Sequence, residues 1–153
     1  MGQGGISFAQ PTGGTWSAPT LLAPSAVGHQ FFPDGNADGG VLHALWHDSR
    51  NDPAYSVQYP PGNDGAVRHG AGSAAATHGL DTYAASSTDG GASWAVARLS
   101  GSSEMPNYEM FGDRRVPFHD DDNHVSSVGA FAYDIWTDTR QVVPGRRPAI
   151  PGR

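Results

Sequence analysis

The chain of 153 residues contains no cysteine and no lysine, and it has no apolar run long enough to span a membrane. The absence of cysteine excludes a disulfide framework and a cysteine-ligated zinc site. All nine basic residues are arginine, against fifteen acidic residues, so the formal net charge is −6. This charge argues against a nucleic-acid partner, which requires a basic surface. Arginine instead favours planar, two-point contacts with carboxylates.

Helical periodicity is also missing, and only 37% of the residues are hydrophobic. In contrast, 21 glycines and 12 prolines indicate many turns. Four tryptophans, five tyrosines and six phenylalanines are placed in short runs between these turns. Aromatic and β-branched residues in short runs bounded by glycine or aspartate are typical of β-strands. The composition therefore predicts an all-β protein of short strands.

Two motifs recur in the same order, which indicates an internal repeat. GGTW at residues 13–16 resembles GASW at residues 91–94, with Trp94 following Trp16 by 78 residues (94 − 16). HALWHDSRN at residues 43–51 matches YDIWTDTRQ at residues 133–141, at an offset of 90 (136 − 46). Both motifs combine a strand with the turn beside it, so the repeated unit is a group of strands.

One unit is predicted to contain four antiparallel strands, near residues 30–33, 41–47, 81–86 and 94–99. Four such strands are the blade of a β-propeller, and this length holds about two to three blades, so the propeller is expected to be incomplete. The predicted organisation is the end of one blade (1–27), a full blade (28–100) with a long insertion (52–80), the start of the next blade (101–143) and an irregular tail (144–153).

The stretch SSTDGGASW at residues 86–94 predicts a tight turn between the third and fourth strands. Asp89 is expected to accept hydrogen bonds from backbone N–H groups of its own turn. Gly90 and Gly91 are expected to take positive φ angles. The serine hydroxyls would close the turn, and Trp94 would bury its ring against the neighbouring sheet. The residues of this motif are Ser87, Asp89, Gly91, Ser93 and Trp94.

The pattern S-x-D-x-G-x-[ST]-W in these residues resembles the Asp-box of the bacterial neuraminidase repeat, found in sialidases and related propellers. In the earlier copy, Ala9 and Pro11 replace the serine and aspartate of the pattern. The resemblance implies a structural role for the Asp-box, secretion by a bacterium, and a glycoside hydrolase that hydrolyses or recognises terminal acidic sugars, with no cofactor. The alternatives are a non-catalytic propeller that binds glycan or protein, and an inactive fragment that lacks its remaining blades.

The loops opposite the Asp-box are expected to form the binding side, as implied by the resemblance. This side holds Asp48, Arg50, Asp138 and Arg140 from the repeated strand end. Arginine side chains bind carboxylates bidentately, and sialic acid carries a carboxylate. The alternative is that each aspartate pairs with the arginine two residues later, which would make the motif a structural part of the repeat.

No complete catalytic set can be assigned. The resemblance requires a tyrosine nucleophile with a glutamate, and the two glutamates, Glu104 and Glu109, lie near Tyr108. Residues 34–39 resemble half of a calcium loop but lack the final glutamate, so a turn between two strands is predicted. Residues 119–124 are interpreted as a solvated acidic loop between strands. No metal site is predicted.

Overall fold

The computed structural model describes residues 4–25, 27–52, 79–104, 107–111, 114–118 and 122–138. These residues form an all-β structure of small antiparallel sheets, none of which closes on itself. Among them there is no helix that could cross a membrane. In chain order the strands are β1 (Ser7–Phe8), β2 (Pro11–Thr12), β3 (Thr15–Trp16), β4 (Thr20–Leu21), β5 (Gln30–Asp38), β6 (Val41–Asp48), β7 (Asp81–Ser87), β8 (Ala95–Arg98), β9 (Asn107–Phe111), β10 (Arg114–Phe118), β11 (His124–Val128) and β12 (Phe131–Ile135).

The largest sheet consists of β5, β6, β7 and β8 in sequential antiparallel order. The prediction of four consecutive antiparallel strands is therefore confirmed. The prediction of a turn over residues 34–39 is wrong, because β5 continues to Asp38. The turn is limited to Gly39 and Gly40, which both have positive φ. Two such residues make the tight turn whose twist suits a hairpin.

The two faces of the four-stranded sheet differ in chemistry because neighbouring residues of a strand point to opposite sides. One face, called here the Trp46 face, carries Ala44, Trp46, Tyr83 and Ala85. The other, called the Leu45 face, carries Leu45 and, by the pairing register, Asp34 and Asn36 beside it. Trp46 and Leu45 are both fully buried, so each face is covered at these two residues.

The first hairpin, made of β1 to β4, covers the Trp46 face. Its Leu22 and Ala23 belong to the same core cluster as Trp46, and Ile6 packs against that cluster. The hairpin reverses at Gly13 and Gly14, which have φ angles of 58° and 89°. The earlier copy of the motif thus forms a two-residue turn, and Ala9 and Pro11 stand where the later copy has serine and aspartate.

The last hairpin, made of β11 and β12, contacts β5 and β6 from the other side. Four oxygen atoms along β5 accept hydrogen bonds from this part of the chain. The donor and acceptor pairs are Asn123 Nδ2 with Phe32 O, Val125 N with Asp34 Oδ2, Ser127 Oγ with Asn36 Oδ1, and Gly129 N with Asp38 Oδ2. Each pair is separated by 91 residues, so β11 runs parallel to β5. The polar residues of β5 are thus the means by which the last hairpin is attached.

A further hairpin is formed by β9 and β10, whose backbones pair from Asn107 with Phe118 to Phe111 with Arg114. It follows Glu104, whose backbone pairs with Leu80 just before β7. This hairpin lies in the region predicted to begin the next blade.

Candidate functional site

The Asp-box turn has the hydrogen bonds that its residues predict. Asp89 Oδ1 accepts hydrogen bonds from Ser87 Oγ (2.8 Å) and Ser93 N (2.9 Å), and Asp89 Oδ2 accepts one from Ser93 Oγ. Gly91 N donates to Ser87 Oγ (2.8 Å), which closes the turn. These bonds, first those from Ser93, lower the pKa of Asp89 to about 2. The aspartate therefore organises the loop as a hydrogen-bond acceptor at the surface.

The same turn packs against the first hairpin through aromatic side chains. The rings of Phe8 and Trp94 meet edge to face, with centroids 5.3 Å apart. Gly91 has a φ of 86°, and a Cβ at this position would come within 2.3 Å of the Phe8 ring. Glycine is therefore required here by both backbone conformation and space. Trp94 packs against the core cluster but is only half-buried, so its predicted burial is partial.

At the opposite end of the sheet, Asp48 lies fully buried and accepts hydrogen bonds from several groups. Its Oδ2 accepts from the Trp46 indole (3.0 Å) and from the Gln30 amide (3.2 Å). The Arg50 guanidinium donates to the same oxygen through Nε (2.9 Å) and Nη2 (2.6 Å), and Arg50 N donates to Oδ1 (2.8 Å). A buried carboxylate requires such compensation.

Arg50 is held by this aspartate and by a tyrosine ring. Its hydrogen bonds with Asp48 raise the pKa of Arg50, and its Cζ lies 4.3 Å from the centroid of Tyr83. The predicted alternative, pairing of aspartate and arginine within the motif, is therefore present in this copy. The binding of a ligand by Arg50 stays a prediction.

A second aspartate stands directly opposite the first in the β6–β7 ladder, and it too is paired with an arginine. Asp81 is fully buried and accepts a hydrogen bond from Arg98 Nη2 at 2.6 Å. Asn51, which follows Arg50, links the two ion pairs because its Nδ2 donates hydrogen bonds to Asp81 Oδ2 (2.7 Å) and Tyr83 Oη (2.9 Å). We call this group the polar end; its members are Asp48, Arg50, Asn51, Asp81, Tyr83, Arg98 and Ser100.

Four of these residues, Asp81, Tyr83, Arg98 and Ser100, were missed by sequence reasoning because they lie outside the repeated motif. The available signal was the strand prediction, since antiparallel pairing of β6 with β7 brings Asp81 opposite Asp48. Of the second motif copy, Asp138 is exposed and belongs to no named strand, while Arg140 lies outside the described residues.

The catalytic candidates are only partly described. Glu104 is buried, with its backbone bonded to Leu80. Tyr108 and Glu109 lie in β9, where the backbone alone is described. Within the described residues no group of three or more histidine and carboxylate side chains is placed to hold a metal ion.

Comparison with known proteins does not identify a family for this chain. The chain matches no protein-family model, no curated protein and no solved structure.

Proposed function

We propose that the chain is part of a sialidase-like β-propeller, with β5 to β8 as one blade. Three observations support this: the sequential order of the four strands, the hydrogen-bonded Asp-box between β7 and β8, and the hairpins on opposite faces of the sheet. The parallel course of β5 and β11 supports it as well, because the first strands of successive blades run side by side around the axis of a propeller.

The proposed function is recognition of an acidic sugar at the polar end. The observation that carries it is a pair of partly exposed guanidinium groups from residues that neighbour Tyr83. Arg50 stacks on this ring, and Arg98 is the β-ladder partner of Tyr83. The side chains are 21% and 35% exposed, and Nη1 of each has no hydrogen-bond partner among the described residues. Two such donors match a carboxylate.

Recognition is proposed for this chain in preference to hydrolysis. A glycosidase needs one carboxyl group that can deliver a proton and a second group that can attack or activate water. At the polar end both carboxylates are already engaged: Asp48 by Arg50, and Asp81 by Arg98. The two arginines are therefore suited to binding the sugar, while the acid and the nucleophile of a hydrolase would have to come from other parts of a propeller.

Calorimetric titration of the full chain with a sialylated trisaccharide tests the proposal, and the same sugar without sialic acid is the matched control. We expect binding of the acidic sugar only. Arg98→Lys and Arg50→Lys keep the charge but remove the planar fork. Each should weaken binding about tenfold or more, the effect of one charge-assisted hydrogen bond.

Thermal unfolding of each variant is measured beside the titration, so that loss of binding can be separated from loss of the fold. Equal binding of the acidic and neutral sugars, or unchanged affinity in both lysine variants, would contradict the assignment of the polar end.

A further inference from the structure

The last hairpin presents an apolar face to solvent. Val128, Phe131, Tyr133 and Ile135 are between 65% and 74% exposed. The register of β11 with β12 places all four on the same side of the hairpin. Single exposed apolar residues are ordinary, but a contiguous group that includes two aromatic rings indicates a contact surface.

An apolar groove lies on the opposite face of the four-stranded sheet, the Trp46 face. It has a volume of about 450 Å³ and is bordered by the first hairpin. Ile6 and Phe8 form its side, and Gly35, Ala37, Leu42 and Ala44 lie along β5 and β6. The small residues leave room above these two strands, which the first hairpin does not cover.

The repeat relates these two surfaces to a contact that the chain already makes. With the offset of 90 residues, Val41, His43 and Leu45 correspond to Phe131, Tyr133 and Ile135. In β5 and β6 this side of the hairpin is the Leu45 face, and the last hairpin covers it. The equivalent side of the last hairpin itself is open among the described residues. If the Trp46 face of a second β5–β6 hairpin covered this open side, it would repeat the contact that the last hairpin makes with the Leu45 face.

The open strand edges are related in the same way. Within the described residues β12 pairs only with β11, although β6, its counterpart, also pairs with β7. The first hairpin corresponds to β7 and β8, and no other strand of the described residues pairs with it. Among the described residues, the last hairpin thus lacks a neighbouring strand of the β7 type, and the first hairpin has a free strand of that type.

We propose that copies of this chain associate head to tail, with the last hairpin of one copy seated in the groove of the next. Phe131 and Tyr133 fill the space above Gly35 and Ala37, and β12 lies beside the first hairpin of the second copy. The two hairpins then complete a four-stranded sheet. The contact joins different surfaces, so it generates dimers and then longer chains or rings. The net charge of −6 on each copy opposes it at low ionic strength.

Sedimentation velocity of the full chain at 0.15 M salt tests the proposal over a concentration series. The wild type should show dimers and larger species that increase with concentration. The double variant Phe131→Ser with Tyr133→Ser should be monomeric, and so should Ala37→Arg, which blocks the groove. These positions are exposed, so the fold should survive, and thermal unfolding of each variant provides the control.

The mixture of the two variants is the decisive sample, because each retains the surface that the other lacks. An equimolar mixture should form a dimer that grows no further. A wild type that stays monomeric throughout the series overturns the proposal. So does self-association of either variant at the wild-type level, or a mixture that stays monomeric.

Cross-linking gives a second measurement, since the chain has no cysteine of its own. Mixing the Ala37→Cys and Phe131→Cys chains under oxidising conditions should give a disulfide-linked dimer. Mixing Thr12→Cys with Phe131→Cys, where Thr12 lies at the exposed tip of the first hairpin, should give much less. Equal yields from the two pairs would count against the contact.

Discussion

The two ends of the four-stranded sheet are both organised by aspartate, yet they differ in burial and in the partners of the carboxylate. At the Asp-box, Asp89 is at the surface and accepts hydrogen bonds from two serine hydroxyls and the backbone N–H of Ser93. At the polar end, Asp48 and Asp81 are fully buried, and each is paired with an arginine. One end is a closed turn, and the other is a charged network with two partly exposed guanidinium groups.

This difference determines what the loss of each aspartate costs. When an exposed carboxylate is removed, water can replace it as the hydrogen-bond acceptor. When a buried carboxylate is removed, the donors around it are left unsatisfied. The polar end should therefore contribute more to stability, in addition to its proposed role in binding. The Asp-box should mainly fix the shape of a loop and its contact with the first hairpin.

The largest effect is expected from Asp48→Ala. This change leaves the Trp46 indole, the Gln30 amide and the Arg50 guanidinium without their shared acceptor. Removal of one partner of a buried ion pair costs about 3–5 kcal/mol, which we expect as the loss in the free energy of unfolding measured with urea. Asp89→Ala is the matched variant at the other end. A larger loss in Asp89→Ala than in Asp48→Ala would reverse the comparison.

An intermediate effect is expected from Gly91→Ala, compared with Gly14→Ala. Gly91 has a φ of 86° and Gly14 a φ of 89°, so both variants carry the backbone cost of a positive φ. Only at Gly91 does the new Cβ meet the Phe8 ring, whereas nothing lies within 4 Å at Gly14. Displacing Phe8 from Trp94 should make Gly91→Ala the less stable variant by about 0.5–1.5 kcal/mol. Equal melting temperatures would show that the turn and the first hairpin do not depend on each other.

The smallest effect is expected from the titration of Asp89. The pKa of this carboxyl is about 2 in the folded chain, against 3.8 for an unperturbed aspartate. A lowered pKa stabilises the folded state at pH values above the pKa of the unfolded chain. This contribution is lost as the pH falls from about 4 through about 2. The stability difference between wild type and Asp89→Asn should therefore shrink between pH 5 and pH 2.5. A difference that grows on acidification would contradict the hydrogen-bonded carboxylate.

Much of the local structure could be predicted from residue patterns alone. The strands β6 and β7 were located to within one residue, because their apolar and β-branched residues lie between strong turn signals. The positive φ angles of Gly90 and Gly91 and the acceptor role of Asp89 follow from short-range chemistry. The long β5 could not be predicted in the same way: Asp34, Asn36 and Asp38 are typical of a turn, and they belong to a strand because β11 supplies their partners.

The sequence by itself determined an all-β chain with a repeated unit, because strand periodicity and turn residues act over a few positions. Only the tertiary structure decided the partners of the charged residues. Asp48 and Arg50 are close in sequence, but Asp81 and Arg98 join them through the pairing of β6, β7 and β8. The burial of Asp48 and Asp81 depends on the packing around the ends of these strands, and no short segment encodes it. Burial is a property of the assembled sheet, since a carboxylate loses water only when other parts of the chain surround it.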